Sequence, residues 1–99
     1  MMTSLKSRIH IPEDVLYHDL NGEAVVLNLK SGKYFSLDAV GSHMWQLLAE
    51  HYDVATVYQS LLAEYEVDGE TLRKDLFELI DNLGTYGLVK VDAEAAEES

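Results

Sequence analysis

The sequence contains no cysteine and one proline, and it sets only seven Lys and Arg against eighteen Asp and Glu. Without cysteine there are no disulfides, thiolate metal sites or thiol nucleophiles, and no sign of an oxidising compartment. The shortage of basic residues leaves a formal net charge of -11. A chain this acidic is repelled by phosphate backbones and anionic lipid, so neither nucleic acid nor a membrane surface is an expected partner. No apolar run approaches the ~18 residues of a membrane span. The start, Met1 to Arg8, lacks the apolar stretch of a signal peptide. A cytoplasmic location is the expectation.

Catalytic signatures are missing too. There is no phosphate loop, no GxGxxG and no GxSxG. The histidines are His10, His18, His43 and His51, and none stands three or four residues from another, so helical metal-ligand spacing fails. Glu78 and Asp81 pair on one helix face, which a solvated polar surface explains better than acid–base chemistry. No catalytic residue, metal or cofactor is expected, and the chain reads as a non-enzyme.

What is present is a compact alternation of signals. Hydrophobic residues make up 47% of the 99 positions, enough for one small core and one domain. Residues 1–14 read as an N-terminal arm, with Ile9 to Pro12 extended at best. Val15 to Leu20 reads as a strand, Asn21-Gly22 as a tight turn, and Glu23 to Leu29 as a second strand. Lys30 to Lys33 forms another turn around Gly32, and Tyr34 to Leu37 a short third strand.

The period then changes from 2 to 3.6. Asp38 caps a helix through about His51, with Val40, Met44, Leu47 and Leu48 on one face and Trp45 beside them. Asp53 caps a second helix with Val54, Val57, Tyr58, Leu61 and Leu62 inward. A third runs from about Glu70 to Tyr86, with Leu72, Leu76, Leu79, Ile80 and Leu83 as its core stripe. Gly87 follows in a left-handed position, and Leu88 to Val91 suits a last strand. The tail, residues 92–99, carries four acids and no base, and is expected to be disordered. The rest of the chain still stands at -7 and favours neutral or basic partners. The fold class is α+β: a three-stranded antiparallel β-meander followed by three helices, the parts of a winged helix-turn-helix.

Two features suggest a contact surface. In a meander the third strand keeps one free edge of N–H and C=O groups, and Tyr34 to Leu37 carries neither proline nor inward charge to block it. Tyr34 and Phe35 are adjacent on that strand and must face opposite ways, so both cannot be core if one face of the sheet is wet. Arg73, Phe77 and Ile80 lie on one side of the third helix, offset from its leucine line. That side is either a contact face or packed under the sheet.

The stretch Ala24 to Leu48 (AVVLNLKSGKYFSLDAVGSHMWQLL) resembles the PqqD-like family, the recognition elements of ribosomally made, modified peptides. The family pattern is an apolar strand, a glycine turn, an aromatic, Leu-Asn/Asp, then a helix with Ile/Met-Trp-x-Leu-Leu. Leu61 to Asp68 is similar to its L-x-x-x-Y-x-V/A-D segment, and Leu79 to Val89 to its closing L-x-x-L-x-x-x-G-L-V. The likeness spans residues 15–91. Lys33 to Asp38 and Met44-Trp45 look more like the stand-alone leader-binding proteins of lasso peptide pathways than like the protein of pyrroloquinoline quinone synthesis.

The resemblance implies a leader-peptide-binding adaptor. The leader of a precursor peptide would add as a strand beside Tyr34 to Leu37. Lys33, Tyr34, Phe35, Ser36 and Leu37 would meet it from the strand, and Arg73, Leu76, Phe77 and Ile80 from the helix. A leader peptidase and a cyclase of the same pathway would be its partners. The chain itself would be a monomer or a weak homodimer. The alternatives are a peptide chaperone of pyrroloquinoline quinone synthesis and a winged-helix protein–protein scaffold. A nucleic-acid-binding winged helix ranks low, because its recognition helix would carry Arg73 and Lys74 against Glu70, Asp75, Glu78 and Asp81.

Overall fold

The computed structural model describes residues 5–20 and 23–92, the side chain of Leu20 excepted. The elements run β1 (Arg8–His10), β2 (Val15–Leu20), β3 (Glu23–Asn28), β4 (Tyr34–Leu37), α1 (Ala39–His51), α2 (Val54–Glu64), α3 (Gly69–Thr85) and β5 (Lys90–Asp92). Strands β2, β3 and β4 form the antiparallel meander in that order. The turn assigned to Asn21-Gly22 lies outside the described residues, but the strands on either side pair in register from Leu20 with Glu23. The tail expected to be disordered likewise falls beyond them, apart from Asp92.

Alternation decides which side of the sheet is dry. Ala24 and Val26 of β3 are buried, and their partners across the ladder are Leu37 and Phe35 of β4. One residue along, Val25 pairs with Ser36 and Leu27 with Tyr34, on the other face. The inner face rests on α1. There Met44, Trp45 and Leu48 are buried, and the Trp45 ring stacks on Tyr17 of β2 with centroids 6.3 Å apart. The buried stripe is rotated from the expected one towards Trp45, which leaves Leu47 half-buried and Val40 44% exposed.

Each helix begins on an aspartate whose carboxylate accepts backbone N–H groups that have no partner within the helix. Asp38 accepts from Gly41, Asp53 from Ala55, and Asp68 from Thr71. Tyr58 of α2 donates its hydroxyl to the Gly69 carbonyl at 2.9 Å. A Cβ on Gly69 would meet that hydroxyl at 2.9 Å, so α3 opens on glycine because a tyrosine presses there. His43 of α1 and Tyr65, which ends α2, meet at 2.9 Å.

The N-terminal arm is built into the domain. β1 pairs antiparallel with β5, Ile9 against Val91. Ile9 is 3% exposed, its N–H donates to the Tyr52 carbonyl at 2.7 Å, and the Ser7 carbonyl accepts from Val54. A three-residue strand carries too little periodicity to be read from sequence, and its partner is about eighty positions away. Leu88 and Val89, expected in the last strand, instead plug the core ahead of it, at 0% and 3% exposure.

Candidate functional site

Among the described residues, β4 has a strand on one side only. The Asn28 N–H donates to the Lys33 carbonyl at 2.9 Å, which makes Asn28 and Lys33 a hydrogen-bonded pair. Such pairs alternate along an antiparallel ladder. Lys33, Phe35 and Leu37 therefore aim their main-chain groups at β3, and Tyr34 and Ser36 aim theirs at the open edge. Gly32, at φ 79, takes the left-handed conformation that the turn between the two strands requires. Neither proline nor a charged side chain interrupts the edge from Tyr34 to Leu37.

α3 runs beside that edge and closes a groove. At one end a hollow of about 620 Å³ is lined by Gly32, Lys33 and Tyr34 from the strand side, and by Thr85 and Tyr86. At the other end a hollow of about 390 Å³ lies between α1 and α3, lined by Asp38, Val40, Met44, Asp75, Glu78 and Leu79, among others. Between them Phe35 meets Tyr86 edge-on, ring centroids 5.5 Å apart. The walls are tied together by Asn28. Its side-chain amide donates to the Gly87 carbonyl at 2.9 Å, and its oxygen accepts from the N–H groups of Lys30 and Ser31.

The structure sorts the residues expected at the site. Lys33 and Tyr34 line the groove, and Tyr34 is 60% exposed. Ser36 lies on the same outer face, and Phe35 and Leu37 turn inward as floor and core. The helix residues do not join them. Leu76 and Ile80 are fully buried in the core. Arg73 is exposed and pairs with Glu70 at 3.1 Å, and Phe77 packs half-buried against the core. At about 100° per residue, Arg73 and Phe77 lie roughly 160° around α3 from the residues that face β4.

Those residues are Asp75, Glu78, Leu79, Asn82, Thr85 and Tyr86, at the three- and four-residue steps of one helix face. The spacing was visible in the sequence, but its polar members hid it as a solvated side. Ile80 takes its expected place in the core stripe, while Leu79, expected there too, is only half-buried. They flank the leucine line on opposite sides, and β5, packed on α3, closes one flank. A third hollow of about 640 Å³, lined by Ile80, Gly84, Val89 and Val91 among others, opens on that flank.

A family model described as "Coenzyme PQQ synthesis protein D (PqqD)" matches residues 23–89. The chain belongs to the PqqD family. The match takes in every element that builds the groove, from β3 to the Val89 plug.

Among solved structures, this PqqD-family chain is similar to one described as "TbiB1 in Complex with the TbiA(beta) Leader Peptide". The two are 36% identical, with a TM-score of 0.74, over 82% of this chain and 94% of that one. A second, "Lasso peptide synthetase B1 complexed with the leader peptide", shares the fold at 24% identity and a TM-score of 0.74. That likeness covers 84% of this chain and 98% of that one. No curated protein matches the chain.

Among the described residues, no group of three His, Asp or Glu side chains is placed to hold a metal ion. No helix of the described residues is long and apolar enough to cross a membrane. Glu78 and Asp81 are both exposed, and only Glu78 faces the groove.

Proposed function

We propose that this PqqD-family chain is a leader-peptide-binding adaptor for a ribosomally made, modified peptide, with a lasso peptide as the product class. The observation that carries the reading is the open β4 edge beside the α3 groove. The chain that contains it is 36% identical to a protein solved with a leader peptide. The leader adds antiparallel to β4 and bonds the main-chain groups of Tyr34 and Ser36. Its alternate side chains turn towards Leu79, Val40 and Tyr86. Main-chain bonds supply affinity, and the hollows supply selection.

The chain performs no chemistry of its own. It presents the precursor to a separate leader peptidase and cyclase, and raises their effective substrate concentration. A free leader is disordered, and ordering it costs about 2–5 kcal/mol. The expected dissociation constant is about 10⁻⁸ to 10⁻⁶ M, or roughly -11 to -8 kcal/mol. Because the leader occupies the strand edge, the complex is one-to-one.

Calorimetric titration with synthetic leaders of the precursors encoded beside the gene tests the reading. Saturable one-to-one binding in that range supports it. Failure of every such leader to bind the folded chain sinks it. The description of the matched family favours one second reading, a carrier of the quinone-precursor peptide through the same groove. Tighter binding of that peptide than of any lasso-type leader would select it.

A further inference from the structure

The two ends of the groove carry opposite charge. Lys33 sits at the Tyr34 end. At the other end Asp38, Asp75 and Glu78 surround a floor of Val40, Met44 and Leu79, and no Lys or Arg among the described residues lines that hollow. Asp38 is committed to the Gly41 N–H at 2.7 Å. Asp75 and Glu78 are exposed and have no ion pair among the described residues. Arg73, the nearest arginine in sequence, is held by Glu70 on the opposite flank of α3.

Strand geometry turns this asymmetry into a peptide pattern. β4 runs from the Lys33 end towards the Asp38 end, so an antiparallel strand beside it enters at the acidic end and leaves past Lys33. Residues directly opposite one another share a face, so the peptide residues opposite Phe35 and Leu37 turn towards α3. The residue opposite Phe35 meets the aromatic waist at Tyr86. A residue two places earlier, opposite Leu37, reaches the acidic hollow with a long side chain. Its alkyl stem would lie on Val40 and Leu79, and its charged head would reach the carboxylates.

Resting on the adaptor reading, we infer that the groove selects a basic residue. The bound peptide carries Lys or Arg at, or just before, the position opposite Leu37, upstream of its apolar anchor. Asp75 and Glu78 are the residues that specify it. An acidic residue there faces three carboxylates and is rejected. The preference fixes the direction of the strand as well as its position, because a reversed peptide would bring the same charge to Lys33.

The test uses the leader that binds in the titration above, resynthesised with Lys and separately with Glu at each position in turn. At one position the Lys peptide binds about tenfold tighter than the Glu peptide at low salt, and the ratio falls as salt is raised. With the Asp75→Asn/Glu78→Gln protein the ratio at that position falls to about one, while the Ala scan of the apolar anchor is unchanged. Equal binding of Lys and Glu peptides at every position, or a ratio that survives the double substitution, overturns the inference and leaves the adaptor reading standing. If no leader binds at all, the adaptor reading itself has failed.

Discussion

Asn28 ends β3, shapes the turn into β4 and holds the loop after α3. Its side-chain oxygen takes two turn N–H groups, and its amide reaches the Gly87 carbonyl across 59 positions of sequence. The two roles separate chemically. Asn28→Asp keeps the oxygen and removes the donor, so the turn survives and the tie to Gly87 is lost. Asn28→Ala removes both. Expected losses of stability are about 1 kcal/mol for the alanine turn bonds and a further ~1 kcal/mol for the tie. Urea melts read these stabilities, and leader affinity should fall in both variants, because both loosen the groove walls. Unchanged affinity in a folded Asn28→Asp protein would show that Gly87 needs no tether. At this scale the sequence was legible where chemistry is local. Asp38 and Asp53 announced themselves as caps, and Gly87 as a left-handed residue, at φ 73. It was illegible where neighbours decide. Leu79 and Ile80 are adjacent, equally apolar and on either side of one stripe, and only the position of β5 assigns them.

β4 is the element on which the functional reading depends, and its edge can be closed without touching the ladder. Ser36 directs its N–H outward, so Ser36→Pro removes an edge donor while the bonds of Phe35 and Leu37 to β3 remain. Thermal stability should change by less than about 1 kcal/mol, and leader binding should fall by tenfold or more in the same titration. Retained affinity in the folded variant would move the peptide off β4. α3 offers the matching contrast. Leu79→Ala, on the groove face, should weaken leader binding several-fold. Phe77→Ala with Arg73→Glu, on the far flank, should leave it within about twofold, once melting curves show both proteins folded. The reverse result would restore the face first expected from sequence. The strand order and the three helices could be read from periodicity, because each of those elements carries enough residues to show its period. The rotation of α3 about its own axis could not. The offset apolar side fits either a contact face or packing under the sheet, Leu79 is expected in the core, and Glu78 reads as part of a solvated polar surface.

On the scale of the whole molecule, the chain closes on itself at its ends. β1 and β5 pair at Arg8 with Asp92, Ile9 with Val91 and His10 with Lys90, so the described core begins well before the first long strand. The reading that places residues 1–14 in an arm therefore meets a core residue at Ile9, 3% exposed. This small sheet meets α3 through β5 and the α1–α2 connection through the bonds of Ser7 and Ile9 to Val54 and Tyr52, and Val54, Leu88 and Val89 are all buried. The groove lies on the other flank of α3, so the two faces can be tested apart. Ile9→Ala removes a buried branched side chain and should cost about 2–5 kcal/mol. Removal of residues 1–10 should cost more, because the Ile9 N–H bond to the Tyr52 carbonyl and the Ser7 carbonyl bond from Val54 go as well. For a domain whose total stability is about 5–15 kcal/mol, the truncated chain should be marginal. Urea melts of Ile9→Ala measure the loss, and leader titration well below the melting midpoint asks what it does to function. The expected result is a lower midpoint with leader affinity within about twofold of the parent. A leader that binds the variant should raise its midpoint, since binding to the folded state alone adds stability by mass action. Loss of affinity in a variant still fully folded would mean that the closure at the termini sets the α3 position, and so the width of the groove, from the far side of the helix.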